Sequence, residues 1–137
     1  MADRVRKVDY CYVTVPAKAG SGAKALNALK QGGVNMLGFT GFPAGGGKAQ
    51  LDFVTEDLSK VRRAASKAGL KVSPAKKMFL IQGRDVPGAV LAHHQKLAKA
   101  GVSVTAADGV SSGGRYGMLL WVKPKDYAKA ARALGAR

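Results

Sequence analysis

The sequence predicts an α+β protein built from two successive βαββαβ modules with antiparallel sheets. Three observations lead to this fold class. Short segments alternate apolar and polar residues, which is typical of strands, and others repeat apolar residues at helical spacing. These elements follow the same order twice. A shift of the chain by 68 positions also superposes similar residues, which indicates an internal duplication.

The first half of the chain predicts one module after a charged arm, residues 1–7, which we expect to be frayed. Its predicted elements are a strand at 9–15, a helix ending at Gly32, strands at 34–42 and 49–53, a helix from Thr55 or Asp57 to Gly69, and a strand at 70–73. The strands at 34–42 and 49–53 are joined by Pro43 and a run of glycines, which favours a hairpin.

The same order of elements begins again at Lys77. The predicted elements are a strand at 78–82, a helix ending at Gly101, strands at 102–107 and 116–122, and a helix beginning at Asp126. The second module lacks its last strand, so we expect the open edge of strand 78–82 to be covered by the 70–73 strand, the other module or another chain.

Matching residues support the duplication. The shift of 68 positions places Gly20 on Gly88, Leu29 on Leu97, Gly33-Val34 on Gly101-Val102 and Leu51 on Leu119. We therefore predict a first module at 8–75 and a second at 76–137. The alternative is that two unrelated βα stretches align through their composition.

The charge is the unusual feature of the composition. The chain has 23 Lys and Arg against 8 Asp and Glu, a net charge of +15, which favours polyanions as partners. The cations form no long block, so they fit a solvated surface as well as an anion-binding face. With one cysteine, a polar N-terminus and no long apolar run, we expect a cytoplasmic protein without a membrane partner.

Residues for catalysis are missing. His93 and His94 are the only histidines, and no carboxylate or further histidine completes a metal site with them. We expect His94 in the core and His93 on the surface. Because Cys11 points inward from a strand, it is a poor nucleophile candidate. The sequence thus predicts no enzyme, no metal and no cofactor.

The turn at Asp85-Val86-Pro87-Gly88 is the best candidate site. Pro87 is favoured in the first turn of a helix, whose unpaired N–H groups suit a carboxylate. Gly88, and Gly20 in the first half, would let a ligand approach the main chain, and Asp85 could accept hydrogen bonds from an amino group. The simpler interpretation is a helix N-cap.

This strand, turn and helix resemble the opening of an ACT domain, a ferredoxin-like βαββαβ module that binds amino acids. The resemblance covers nearly the whole chain as two tandem ACT-type modules, the second without its last strand. It implies a non-catalytic regulatory protein that binds a small ligand at the interface between modules, with an amino acid as the leading class of ligand.

In the ACT family one module supplies the turn before its first helix, and the partner supplies a polar residue after Gly-Val. Asn35 follows Gly33-Val34, and Ser103 holds the equivalent position in the second module. The resemblance therefore implies these ligand-binding residues: Arg84, Asp85, Val86, Pro87, Gly88, Asn35, Gly20 and Ser103. The half-site of Gly20 and Ser103 lacks the Asp and Pro, which implies lost or altered specificity. Gly83 stands where the family often has a histidine, which leaves the ligand open.

Two alternatives remain open. Segments 78–83 and 116–121 resemble the strand motifs of the RNA-recognition motif, in which Phe79 and Tyr116 would stack on bases of a basic sheet. Nucleic acid ranks below an amino acid because Met118 replaces an aromatic of that motif. The other alternative is a structural oligomerisation module. Because strand 116–122 is apolar on both faces, we predict a homodimer or higher oligomer.

Overall fold

The computed structural model describes residues 2–137. Its elements are β1 (Arg4–Pro16), α1 (Ser21–Gln31), β2 (Gly38–Gly45), β3 (Lys48–Val54), α2 (Leu58–Lys67), β4 (Lys76–Arg84), α3 (Leu91–Lys99), β5 (Val104–Ser112), β6 (Arg115–Val122), a 3-10 turn (Pro124–Asp126) and α4 (Tyr127–Leu134). This order confirms the predicted α+β fold of two ferredoxin-like, ACT-type modules. Within residues 2–137, no helix combines the length and apolar character that crossing a membrane requires.

The chain divides into two compact units. We call residues 9–76 the first unit, and residues 2–8 together with 77–137 the second unit. The short N-terminal segment thus belongs with the C-terminal half of the chain. The sequence modules at 8–75 and 76–137 describe the repeat, and their boundaries stay a prediction.

The first unit has the strand order β2-β3-β1, and both pairs are antiparallel. Alternate residues of β1 point to the helices, as period-two alternation requires. The core joins these residues to the inner faces of α1 and α2, and its buried members are Cys11, Val13, Val15, Ala25, Leu29, Leu51, Phe53, Val61 and Ala64. The predicted strand at 70–73 does not form, but Ser73 pairs with Tyr12 through N–H donation to its carbonyl oxygen at 2.9 Å.

The second unit has the strand order β1-β4-β6-β5, and the part of β1 in this unit is 4–8. The expectation of a frayed arm was therefore wrong, because these residues form the strand beside β4. Val5 joins the core of the unit, which explains why the segment is ordered. Arg137 also pairs with this part of β1. Its N–H donates to Val5 O at 3.1 Å, and Lys7 N–H donates to Arg137 O at 3.0 Å.

The duplication is visible in the backbone. Left-handed glycines recur at a spacing of 68 residues, in the pairs Gly20 and Gly88, Gly33 and Gly101, Gly45 and Gly113, and Gly46 and Gly114. Each pair marks the same place in the two units, namely the turn before the first helix, its C-terminal end, and the hairpin. The repeat therefore conserves the positive φ angles that these turns need, although few side chains match.

The burial of residues in β4 and β6 bears on two predictions, the RNA-binding sheet and the oligomer. Phe79 and Tyr116 are buried with α3 and α4 residues in the core of the second unit, so they cannot form a base-stacking surface. This burial rules out the predicted RNA platform. On the other face Leu119 and Trp121 are also buried in the single chain. Apolar residues on both faces of β6 therefore do not by themselves require an oligomer.

Candidate functional site

The predicted binding turn lies between β4 and α3. Arg84 ends β4, and α3 begins only at Leu91, so Pro87 precedes the helix and does not lie in its first turn. Gly88 has φ +76°, a left-handed conformation that breaks the helix before Leu91. The N-cap is Val90, without a side-chain hydrogen bond, so the N-cap interpretation of Asp85 was also wrong.

The backbone of the turn is well held, and its side chains are open to solvent. Asp85 N–H donates to Gly114 O at 3.0 Å, and Leu91 N–H donates to Gly88 O at 3.0 Å. Asp85 is exposed, and so are the apolar side chains of Val86, at 47%, and Leu91, at 54%. The turn therefore presents a carboxylate next to an apolar surface.

Each unit holds its two predicted half-sites at opposite ends of one helix. Gly20 is the N-cap of α1, and Asn35 follows the end of α1. A helix of 11 residues is about 16 Å long, so these two residues are far apart. The same holds for Gly88 and Ser103 at the two ends of α3. A complete site of the predicted kind thus needs two modules.

Asn35 lines a small cavity of about 210 Å³ in the first unit. Its other lining residues are Gly33, Val34, Met36, Leu37, Thr55, Glu56, Asp57 and Lys60. The backbone oxygen of Asn35 accepts a hydrogen bond from Thr55 Oγ1 at 3.1 Å, which fixes the loop against the end of β3. The volume is below the roughly 300–1,000 Å³ of drug-sized ligand sites and suits a very small molecule.

The cavity carries charges of both signs. Asp57 caps α2 by accepting from Lys60 N–H at 3.3 Å. Hydrogen bonds from the Ser59 hydroxyl and then from Lys60 N–H lower the pKa of Asp57, which keeps this carboxylate ionised. The Lys60 side chain supplies the positive charge. Sequence reasoning missed Lys60, although its place three residues after the cap Asp57 puts it in the first turn of α2, near the Asn35 loop.

A buried polar cluster in the second unit was also missed. Asp3 Oδ2 lies 2.7 Å from His93 Nε2 and accepts a hydrogen bond from the Tyr116 hydroxyl. His93 is only 4% exposed, while His94 is half-buried, so the predicted environments of the two histidines were wrong. His93 is four residues from the core residue Leu97, and this spacing places both on the inner face of α3.

Gly83 makes room for this cluster. A Cβ atom at Gly83 would overlap the Asp3 carboxylate and would lie 2.9 Å from Cε1 of Tyr116. The position at which the ACT resemblance suggests a histidine is therefore occupied by the carboxylate from the N-terminal segment. Burial raises the pKa of Tyr116, and so does its hydrogen bond to Asp3, so the hydroxyl stays protonated as the donor.

We expect the Asp3 carboxylate to make stability depend on pH. Burial acts to raise its pKa, but hydrogen bonds from Tyr116 and His93 and the positive charges nearby outweigh it, so the pKa is below 3.8. A carboxyl group whose pKa is lowered by folding stabilises the fold above its unfolded pKa, and that contribution disappears as the pH falls through the folded pKa. Urea unfolding from about pH 7 to about pH 2 should show wild type losing its advantage over Asp3→Asn below about pH 4, the unfolded pKa of an aspartate. A constant difference across this range would contradict the assignment.

Residues 2–137 contain no cluster of three or more His, Cys, Asp or Glu side chains that could hold a metal ion. Cys11 is fully buried, and this burial raises the pKa of its thiol, which keeps it a neutral core residue.

Solved structures share this fold. No protein-family model matches the sequence, and no curated protein matches it significantly. The protein BT0572 from Bacteroides thetaiotaomicron superposes with a TM-score of 0.82 at 15% identity, over 96% of this chain and 88% of that one. The regulatory subunit of aspartate kinase from Thermus thermophilus, in its ligand-free form, gives 0.64 at 18% identity over 98% and 93%. The corresponding subunit from Thermus flavus gives 0.61 at 19% identity over 98% and 94%. The similarity establishes the fold that the ACT resemblance implied.

Proposed function

We propose that this protein is a non-catalytic regulatory protein that binds an amino acid at a site completed by two ACT-type modules. The turn Arg84–Gly88 would form one half, and Asn35 with its neighbours would form the other. The observation that carries the proposal is the Asn35 cavity, because it is small and is lined by Glu56 and by the pair of Lys60 and Asp57. Such a pair suits a zwitterion, whose carboxylate faces Lys60 and the Asn35 amide and whose ammonium group faces Asp57.

The fold supports a regulatory role. The Thermus subunits that share it are regulatory parts of aspartate kinases, and one of them was solved in a ligand-free form. A ligand that bridges two modules prefers the arrangement in which both halves touch it, and so biases that arrangement. This protein would transmit the ligand level to its partner in that way.

A homodimer or higher oligomer is part of the proposal. Strand β2 lies at an edge of the first unit, and its Phe39 and Phe42 are 43% and 42% exposed. An open edge strand with exposed aromatic residues favours association with another chain. Light scattering at micromolar concentration should give at least twice the mass of one chain, and a monomer would contradict this part of the proposal.

The binding proposal is tested by thermal shift with the twenty amino acids. A true ligand at 100 times its Kd stabilises the protein by about 2.7 kcal/mol, which raises Tm by several degrees. We expect one or a few amino acids to act, and Asn35→Ala and Gly88→Ala to lose the response. No shift with any amino acid would contradict the proposal.

Matched controls separate binding from damage to the fold. Gly88→Ala strains a left-handed residue, and Gly113→Ala imposes the same strain in a hairpin, since Gly113 has φ +61° and open space around its Cβ position. Gln95→Ala removes an exposed amide from α3 as Asn35→Ala does from its loop. Both controls should keep the ligand response. If they lose it as fully as the site variants do, the assigned residues are wrong.

A further inference from the structure

The charges of the four helices are of one sign. Within residues 2–137, the segments α1 to α4 contain no Asp or Glu. In the first unit, the two helices carry six cations: Lys24, Lys30, Lys60, Arg62, Arg63 and Lys67. That unit has ten Lys and Arg against four Asp and Glu, so its net charge is +6. In the first unit, six of the ten cations therefore lie on the helical layer.

A cleft of about 630 Å³ runs between α1 and α2. Each helix lines it with one row of side chains at the same spacing: Lys24, Asn27, Ala28 and Gln31 on α1, and Lys60, Arg63, Ala64 and Lys67 on α2. The floor is made of small residues, and a Cβ at Gly32 would lie only 2.5 Å from Cβ of Ala64. The long donor side chains therefore stand along both walls, and no carboxylate lines the cleft.

Helix stability explains some of these cations but not all of them. Lys30 and Lys67 lie in the last turns of their helices, where positive charge is favourable. Lys60 lies in the first turn of α2 and Lys24 at the end of the first turn of α1, where positive charge opposes the helix dipole. In α2 the carboxylate of the cap Asp57 offsets part of this charge, whereas the described first turn of α1 contains no acidic residue to offset Lys24. An external anion would offset the charge of Lys24.

We propose that the α1–α2 cleft binds the phosphate backbone of nucleic acid. Four cationic side chains and two amides provide donors for phosphate oxygens, and the lining includes no aromatic ring that could stack on a base. The four residues of each row span eight helix positions, or about 10 Å, and over that length one strand of a duplex places about three phosphates at about 3.4 Å rise along the duplex axis. A single small phosphate compound would not need Lys30 and Arg62, which extend the charge beyond the cleft. Binding is thus independent of base sequence. Lys60 also lines the Asn35 cavity, so this side chain is shared with the proposed amino-acid site, and the other cations of the cleft belong to the nucleic-acid role alone.

Fluorescence anisotropy with a labelled 20-base-pair DNA duplex tests the proposal. We expect wild type to bind two unrelated sequences equally at 50 mM KCl, with log affinity falling against log salt at a slope of about −3. The triple variant Lys24→Gln, Arg63→Gln, Lys67→Gln leaves Lys60 of the proposed amino-acid site intact and should bind at least tenfold more weakly, with the slope reduced by about 2.7. Glutamine preserves helix propensity, and circular dichroism should verify that the fold is intact.

The control removes the same charge elsewhere in the first unit. Lys18, Lys48 and Lys71 are exposed and do not line the cleft, so changing all three to Gln should weaken binding less than threefold. Equal losses in the two triple variants would overturn the cleft as the site, and so would absence of binding at 50 mM KCl. Displacement of the duplex by pyrophosphate, at concentrations where KCl of equal ionic strength has no effect, would overturn nucleic acid as the ligand.

Discussion

Phe79→Ala should destabilise the protein by about 3–5 kcal/mol, the largest effect that we expect from any single substitution. Phe79 is completely buried, and its ring stacks on Tyr127 with 4.6 Å between centroids and an angle of 8°. Alanine would leave a cavity between β4 and α4 and would remove the aromatic pair. Urea unfolding followed by the fluorescence of Trp121, the one tryptophan, measures the loss.

Two further variants make this result interpretable. Phe79→Leu retains most of the buried volume and should lose about 1.5 kcal/mol or less, so it reports on the site even if the alanine variant does not fold. Val110→Ala lies on the edge strand β5 at 72% exposure and should change stability by less than about 0.5 kcal/mol. A loss below about 1 kcal/mol for Phe79→Ala would mean that this core is not packed as described.

Gly83→Ala should cost about 2–4 kcal/mol, because the new methyl group displaces the Asp3 carboxylate from Tyr116 and His93. Each buried polar group that loses its partner costs about 1–3 kcal/mol, and the loss of chain flexibility in the unfolded state offsets only a small part of this. Gly117→Ala is the matched control. Gly117 also lies in a strand of this unit, but a Cβ there has no neighbour within 4 Å, so we expect little change.

A double-mutant cycle identifies the cause. In the Asp3→Ala background the carboxylate is absent, so Gly83→Ala should cost much less than in wild type, although Cε1 of Tyr116 remains close. If the two substitutions are additive, the effect at Gly83 comes from the backbone or from Tyr116 alone. Chemical denaturation of the four proteins at pH 7 provides the required free energies of unfolding.

Local patterns were enough to predict the fold. The alternation at Cys11, Val13 and Val15 predicted β1, and the glycines that recur after 68 positions predicted the repeat. These signals are short-range, since side-chain period and positive φ are properties of a few residues. These patterns also placed Asn35 after α1, where the structure shows that it lines a charged cavity.

Contacts between residues far apart in the chain could not be predicted from the sequence. Asp3 meets residues 90 and 113 positions away, and nothing near Asp3 in the chain indicates His93 or Tyr116 as partners. The polar start of the chain looked frayed because its stabilising contacts are all distant. The helix start was misplaced for a different reason: Pro87 is favoured in a first turn, but the left-handed Gly88 directly after it delays α3 until Leu91.

The place of residues 4–8 in the second unit bears on how the protein is made. These residues are synthesised well before the strand beside them, which begins at Lys76, and before Arg137, whose carbonyl accepts a hydrogen bond from Lys7. At about 5–20 residues per second, translation of the intervening segment takes several seconds. During that time residues 9–76 are complete and can fold, while residues 4–8 still lack β4 as a partner strand. We therefore expect the second unit to mature only after Arg137 has left the ribosome.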